Sequence, residues 1–266
     1  MKIAFIGGGA MGEAILAAAL NRGLSTPQAV WVSDIKEERR QYLKQTYGIS
    51  VTDNNAEAAG HGDIIILAIK PQNLPELIPE LSGQIRAGQL VLSIIAGARV
   101  ETLCKGFDHR QVIRVMPNTP AQIGEGISVW TATPEVTEIQ KEQARAILST
   151  MGKEIFVADE GYLDMATAVS GSGPAYFFLF VECLVEAAAR VGFSEDTAQE
   201  LVLQTMLGSG HLLQKSGKSP AELRRMVTSP GGTTAAALQQ FENGHFRELV
   251  QQAVEAAYRR ARELGK

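Results

Sequence analysis

The chain has 266 residues, of which 45% are hydrophobic and 20% charged, and its formal net charge is −4. This length suits one large or two modest domains, and the mild acidity argues against a nucleic-acid partner. Its two cysteines, Cys104 and Cys183, lie far apart without metal-ligand spacing, which predicts a reduced, cytoplasmic protein without disulfides or a metal site.

The chain begins with the pattern of a dinucleotide-binding loop. Residues 2–6 predict a strand and residues 13–20 a helix, and between them stands Gly7-x-Gly9-x-x-Gly12. The first glycine allows a tight turn, the second lets the backbone approach a pyrophosphate, and the third lets the helix pack close to the strand. The helix start adds free N–H groups and partial positive charge. We predict a dinucleotide site rather than a structural turn or a secretory signal, whose apolar run would be longer.

The second predicted strand, residues 29–34, ends at Asp34. An acidic residue near this distance from the glycines holds the adenosine ribose of NAD and repels the 2′-phosphate of NADP. Hydroxyl and basic side chains in the same corner could instead hold that phosphate, or simply form the solvated start of a helix: Ser33, Lys36, Arg39 and Arg40. The residues therefore leave the choice between NADH and NADPH open.

Three further apolar runs, residues 63–69, 89–95 and 111–115, are typical of parallel strands covered on both faces. Their alternation with helical segments predicts a Rossmann-type doubly wound α/β sheet, in which ligands bind beyond the carboxyl ends of the strands. The segments that follow the runs are rich in Gly, Pro and Asn, so backbone contacts should dominate. Lys70, the charged residue among them, either contacts a ligand or ends its strand in solvent.

The character of the sequence changes near residue 160. Residues 1–159 form the predicted dinucleotide-binding domain, and residues 160–266 show helical periodicity, which predicts an all-helical dimerisation and substrate-binding domain. Its Ala-rich apolar faces suggest burial between subunits. We expect no membrane partner, because no apolar run approaches about 20 residues.

Two glycine-rich junctions, residues 170–175 and 228–234, interrupt the helical half. Each places hydroxyls and unpaired N–H groups at a predicted helix start, which favours anion binding. The alternative is ordinary helix capping by Ser and Thr. With a dinucleotide site in the same chain, we favour binding of a substrate carboxylate at the second junction.

The four histidines lie outside these junctions and are expected at the surface: His61, His109, His211 and His245. The chain thus lacks an evident general base, which alcohol oxidation needs. Reduction of a protonated imine does not need one, because the positive nitrogen already makes the carbon electrophilic. Most of the rate would then come from positioning.

The sequence resembles the pyrroline-5-carboxylate reductase family along nearly its whole length. The most specific segment is Pro220–Glu242, which contains Val227-Thr228-Ser229-Pro230-Gly231-Gly232-Thr233-Thr234. Supporting segments are Ile6–Gly12, Ala68–Gln72, Met116–Pro120 and Ser170–Ala175.

This resemblance implies NAD(P)H-dependent reduction of the cyclic imine 1-pyrroline-5-carboxylate to L-proline, with NADPH or NADH as cofactor. The implied catalytic residue is Thr234, whose hydroxyl would face the ring nitrogen. The implied substrate-binding residues are Ser229, Gly231, Gly232, Thr233, Thr234 and Glu160. The implied cofactor-binding residues are Ile6, Gly7, Gly8, Gly9, Ala10, Met11, Ser33, Asp34, Asn55, Ala68, Ile69, Lys70, Pro71, Ala96 and Gly97.

The resemblance also implies an intertwined homodimer, with larger rings of dimers. Two alternatives remain at this point. A β-hydroxyacid dehydrogenase shares the domain pattern but carries a catalytic lysine near the position of Phe177. A non-catalytic dinucleotide-sensing module should lack the second polar site at 229–234.

Overall fold

The computed structural model describes residues 1–265, which form two compact units. The sheet unit comprises residues 1–172 and the C-terminal residues from Ala257 on, and the helical unit is Gly173–Ala256. The strands are β1 Ile3–Ile6, β2 Val30–Ser33, β3 Ser50–Thr52, β4 Ile64–Leu67, β5 Leu90–Ser93, β6 Val112–Met116, β7 Gly126–Ala132 and β8 Gly152–Phe156. The helices are α1 Ala10–Asn21, α2 Glu37–Tyr47, α3 Asn55–His61, α4 Leu74–Leu81, α5 Val100–Phe107, α6 Glu138–Ser149, α7 Gly161–Ala166, α8 Gly173–Arg190, α9 Glu195–Ser216, α10 Pro220–Met226, α11 Thr233–Asn243 and α12 Phe246–Leu264.

The eight strands form one sheet in the order β3-β2-β1-β4-β5-β6-β7-β8. Strands β1 to β6 are parallel, and the order reverses between β1 and β4, as in a doubly wound fold. β7 runs antiparallel to β6, because the connection 117–125 is too short for a parallel crossover. The predicted fold class is confirmed, with this reversal as an addition.

Two apolar clusters cover the two faces of the sheet. One joins the strands to α1, α2 and α6 through residues such as Ile15, Leu43 and Leu148. The other joins them to α3, α4 and α5, with Leu77 and Leu103 among its members. Every residue of β1, β4 and β5 is buried, which accounts for their continuous apolar sequences.

The sheet unit extends beyond the predicted boundary between residues 159 and 160. It includes α7 and the π-helical turn Thr167–Gly171, and it takes up the last turns of α12. Leu163 and Ala168 are buried there, so these turns pack as part of the sheet unit.

The helical unit exposes many large apolar side chains on α8, including Phe177, Phe178 and Leu179. Through the π-helical turn, residues 161–190 form one helix that is long and apolar enough to cross a membrane by length and composition alone. The expectation that no apolar stretch approaches this length was therefore wrong. A helix that packs against a second subunit has the same composition.

Candidate functional site

Among the three patterned glycines after β1, two positions are closed and one is open. Gly7 adopts a φ of 98°, and a Cβ atom there would lie 2.7 Å from the Ala68 carbonyl oxygen. A Cβ at Gly12 would lie 2.6 Å from the Gly7 carbonyl oxygen. At Gly9, by contrast, no atom lies within 4 Å of the added Cβ. The loop therefore packs closely against Ala68, which follows β4, and it leaves free space at Gly9, the N-cap of α1.

The N-terminus of α1 opens at this loop. Gly9 is the N-cap, and no side chain caps the helix. The Glu13 N–H donates to the Gly9 carbonyl at 2.8 Å, so the N–H groups of Ala10 and Met11 precede the intrahelical ladder. Free N–H groups, the helix dipole and the open space at Gly9 fit the pyrophosphate of a dinucleotide.

Asp34 lies beside the glycine loop at the carboxyl end of β2. Its Oδ2 accepts a hydrogen bond from the Gly8 N–H at 2.9 Å, and its Oδ1 accepts one from the Lys36 N–H at 2.9 Å. These two bonds fix the carboxylate beside the glycine loop, and its contact with an adenosine ribose stays a prediction.

Ser33 and Asn55 form a pair behind Asp34. The Ser33 side chain is buried, and its hydroxyl donates to Asn55 Oδ1 at 2.7 Å. The Asn55 amide nitrogen donates to Glu80 at 2.6 Å. Ser33 therefore orients Asn55, and a direct contact between Ser33 and the ribose stays a prediction.

The other predicted cofactor residues lie at the same edge of the sheet. Ala68 and Ile69 are half-buried after β4, whereas Lys70 and Pro71 are exposed. The Ala68 N–H donates to the Ile6 carbonyl at 2.8 Å, which joins this loop to β1. Ala96 and Gly97 follow β5, and an added Cβ at Gly97 would lie 2.8 Å from the Leu264 carbonyl oxygen. The end of α12 thus packs against this loop.

Glu160 belongs to a charged cluster that sequence reasoning missed. Its Oε1 accepts hydrogen bonds from the Val100 N–H at 2.9 Å and from Arg114 at 2.7 Å. Asp164 lies 2.6 Å from Arg99 and 3.5 Å from Arg114. The Arg114 and Asp164 side chains are 3% and 4% exposed. Glu160 thereby fixes the start of α5, and its contact with proline stays a prediction.

The second glycine-rich junction is a tight turn in front of α11. The Gly232 N–H donates to the Ser229 carbonyl at 3.0 Å, and Gly231 has a φ of 70°. Proline at the second and glycine at the third position of such a turn give type II geometry. No side chain caps α11, so the N–H groups of Thr233 and Thr234 have no intrahelical acceptor. The arrangement can bind a carboxylate.

The first glycine-rich junction differs from the prediction. Thr167–Gly171 is a π-helical turn between α7 and α8, not a fresh helix start. The Ser172 N–H donates to the Thr167 carbonyl at 2.8 Å, and the Ser170 hydroxyl donates to the Ala166 carbonyl at 2.9 Å. These groups are therefore not free for an anion. A π-helical turn inside a long helix is frequent near functional sites.

Two of the histidines contact neighbouring groups, and the structure defines the state of both cysteines. His109 was expected at the surface, but it is buried, with Nε2 2.8 Å from the Gln89 carbonyl oxygen. His61 stacks on Trp31 at a centroid distance of 3.9 Å. Neither cysteine forms a disulfide, and burial raises the pKa of Cys104, which disfavours its thiolate. Among residues 1–265 no group of three potential ligands could hold a metal ion.

Comparison with known proteins extends these observations. Residues 160–264 match the family model for pyrroline-5-carboxylate reductase dimerisation, and residues 2–97 match that for coenzyme F420-dependent NADP oxidoreductase. The chain is 41% identical over 266 residues to the pyrroline-5-carboxylate reductase of Synechocystis, covering 100% of this chain and 99% of the relative.

Two solved structures are also similar. That of a pyrroline-5-carboxylate reductase from Coxiella burnetii has a TM-score of 0.88 and 35% identity, covering 100% of this chain and 98% of the other. That of a Plasmodium falciparum pyrroline carboxylate reductase with NADP bound has a TM-score of 0.90 and 30% identity, with the same coverage.

The Rossmann-type sheet and its open glycine loop define a nicotinamide-dependent oxidoreductase with a helical dimerisation domain. With full-length relatives at this identity, the chain belongs to the pyrroline-5-carboxylate reductase family.

Proposed function

We infer that this chain catalyses the last step of proline biosynthesis, the NAD(P)H-dependent reduction of 1-pyrroline-5-carboxylate to L-proline. One observation supports this inference most strongly, namely that the chain has two separate kinds of binding site. The chain has an open dinucleotide loop at Gly9 and, separately, an uncapped helix start with hydroxyls at Thr233 and Thr234. A reductase needs these two kinds of site, one for the cofactor and one for a small anionic substrate.

For the cofactor, we propose that the loop from Ile6 to Met11 binds the pyrophosphate and that Asp34 and Asn55 lie at the ribose. Residues 68–71 would line the cleft, and Ala96 and Gly97 would lie near the nicotinamide. When bound, the cofactor supplies the hydride that the imine carbon accepts. The contribution of these residues is to fix its orientation.

For the substrate, we propose that the turn 229–232 and the first N–H groups of α11 bind the carboxylate, with help from the Ser229 and Thr233 hydroxyls. The Thr234 hydroxyl would then face the ring nitrogen and accept a hydrogen bond from the N–H of the protonated imine. Because the imine arrives protonated, no side chain has to remove a proton before reduction. Rate enhancement comes mainly from holding the ring in the reactive orientation.

For the assembly, the match to a dimerisation domain establishes that the chain oligomerises. We propose that the assembly is an intertwined homodimer, that dimers join in larger rings, and that the enzyme works in the cytoplasm. The exposed apolar residues of α8 support burial between subunits, because so many exposed large apolar side chains on one helix are typical of an interface.

The test follows NAD(P)H absorbance in two assays. Addition of 1-pyrroline-5-carboxylate should cause oxidation of the cofactor, and L-proline should appear in equal amount. In the reverse direction, small 2-hydroxy acids with the oxidised cofactor should give no signal. Turnover of hydroxy acids would favour the β-hydroxyacid dehydrogenase alternative, and no turnover of any kind would favour a non-catalytic module.

A further inference from the structure

The corner of the cofactor site beyond Asp34 distinguishes between the two nicotinamide cofactors. NADPH differs from NADH by a phosphate on the adenosine ribose, which needs positive charge or free hydrogen-bond donors. NADH presents ribose hydroxyls there, which an ionised carboxylate accepts. The Asp34 carboxylate is held by the Gly8 and Lys36 N–H groups, and each oxygen retains a second acceptor site for a hydroxyl.

The Arg39 guanidinium is engaged by the protein itself. Its Nε donates to the Gly8 carbonyl at 2.5 Å, and its terminal nitrogen forms an ion pair with Glu13. The Tyr47 hydroxyl donates to the same Glu13 carboxylate at 2.8 Å. The charge of Arg39 is therefore balanced by a carboxylate on α1, and two of its donors are already used.

Arg40 is engaged in a similar way. One terminal nitrogen donates to the Asp34 carbonyl at 2.8 Å and approaches that of Ile35 at 3.2 Å, and the other lies 3.6 Å from Asp53. Its side chain is 17% exposed. Lys36 is exposed, but Glu37 and Glu38 follow it at the start of α2.

The hydroxyl of Ser33, the residue before Asp34, also has a protein partner. The Ser33 side chain is buried and donates to Asn55. A 2′-phosphate would therefore meet the fixed charge of Asp34 with both nearby arginines already bound to protein groups, and like charges at such short range repel strongly.

We propose that this enzyme selects NADH over NADPH and that Asp34 is the specificity-determining residue. Any effect of this selection on turnover rests on the proposed reductase function, whereas the preference in cofactor binding does not. NADP in the Plasmodium falciparum relative is a property of that protein, whereas the selection here follows from the carboxylate and the paired arginines of this chain.

The experiment titrates the full-length enzyme with NADH and with NADPH, following nicotinamide fluorescence without substrate. The wild-type enzyme should bind NADH at least about tenfold more tightly, a difference of about 1.4 kcal/mol. Asp34→Asn keeps an oxygen acceptor for the Gly8 N–H but removes the charge, and it should lower the preference about tenfold or more. Asp34→Ser should shift it further toward NADPH.

Asp63→Ser is the matched control, because Asp63 is an exposed aspartate at the amino end of β4, on the opposite edge of the sheet. It should leave the preference unchanged, and thermal melting checks that each variant folds. Equal or tighter binding of NADPH by the wild type, or an unchanged preference in folded Asp34→Asn, would overturn the proposal. Parallel assays with 1-pyrroline-5-carboxylate separate the two claims, since absent turnover with intact NADH selectivity refutes only the reductase function.

Discussion

Gly7 and Gly9 stand two residues apart in one loop, yet an added Cβ meets different surroundings at the two positions. At Gly7 it would touch the Ala68 carbonyl oxygen in a backbone conformation that other residues rarely adopt. At Gly9 it would point into open space. The first glycine is therefore required by the fold, and the second by whatever fills that space.

This contrast gives the first prediction. Gly9→Val should keep the melting temperature within a few degrees and weaken NADH binding by at least about tenfold, because the side chain would occupy the pyrophosphate position. Gly7→Ala should instead lower the free energy of unfolding, by roughly 1–3 kcal/mol from backbone strain alone. Cofactor titration and chemical denaturation measure the two effects. Full NADH affinity in Gly9→Val would contradict the placement of the pyrophosphate.

Thr234 carries the second prediction. Thr234→Ala should lower turnover by about 10- to 10²-fold, the loss expected for one hydrogen bond to a charged group, while NADH affinity changes little. Thr228→Ala is the control, since the Thr228 hydroxyl donates to the Arg224 carbonyl at 2.6 Å. Steady-state kinetics with 1-pyrroline-5-carboxylate measure the turnover of both variants. Unchanged turnover in Thr234→Ala would remove the proposed role of its hydroxyl.

Single residues were predictable where their type alone dictates geometry. The glycine spacing 7, 9 and 12 and the Ser-Pro-Gly-Gly turn are of this kind. The engagement of Ser33 by Asn55, and of Arg39 by Glu13, depends on partners more than twenty positions away in the chain. No local pattern encodes those pairs, so the sequence left the cofactor preference open.

At the scale of elements, a hydrogen-bonded tie joins α1 to α2. Burial acts to raise the pKa of Glu13, but the hydrogen bonds from Arg39 and Tyr47 outweigh it and hold that pKa below its ordinary value. Burial and the hydrogen bond to Glu13 raise the pKa of Tyr47 to about 12. The tie therefore contains an ionised acid and a neutral phenol at neutral pH.

The third prediction concerns the pH dependence of this tie. A lowered pKa means that the stabilisation from Glu13 is present above the ordinary value of 4.5 and is lost as the pH falls through the lower folded value. A raised pKa means that the contribution of Tyr47 is present below 10 and is lost as the pH rises toward about 12. The difference in unfolding free energy between wild type and Glu13→Gln should thus shrink below pH 4.5, and that for Tyr47→Phe above pH 10. Differences in unfolding free energy that do not change with pH would contradict the hydrogen-bonded contact between α1 and α2.

The buried charged cluster ties β6 to α5 and α7, and it carries the fourth prediction. Arg114→Met removes the cation between Glu160 and Asp164 and should lower the free energy of unfolding by roughly 3 kcal/mol, the low end for breaking a buried ion pair, because Glu160 loses its arginine while Asp164 keeps Arg99. Arg110→Met breaks the pair with Glu135, in which Arg110 is 83% exposed, and should change stability little. Urea denaturation measures the free energy of unfolding of the two variants. Equal losses of this free energy would show that the buried cluster stabilises the fold no more than an exposed ion pair does.

Elements were predictable where the apolar pattern is long and continuous. The runs that became β4, β5 and β6 are examples. β3 was not predicted from the sequence, because it has three residues and none of them is fully buried. The antiparallel direction of β7 follows from the short connection after β6. A π-helical turn lies where a helix start was predicted, because one helix continues through Ser170 and Gly171. Both depend on how elements join and not on their composition.

At the scale of the whole molecule, the apolar surface of the helical unit implies subunit contacts, and this gives the fifth prediction. Phe178→Asp should shift the enzyme toward the monomer, because Phe178 is 63% exposed within the chain and a buried interface would not accept an unpaired charge. Ile139→Asp, at an exposed apolar position on α6 of the sheet unit, should not. Light scattering after size exclusion measures the mass, and an unchanged mass in Phe178→Asp would place the interface elsewhere.

The central claim is that the hydride of the nicotinamide reaches the imine carbon of 1-pyrroline-5-carboxylate. The most direct measurement supplies cofactor deuterated at the transferable position and locates the label in the product by NMR. We predict L-proline with a single deuterium on the ring carbon next to nitrogen that does not carry the carboxylate, in amount equal to the oxidised cofactor. Unlabelled proline, or cofactor oxidised without proline, would contradict the claim.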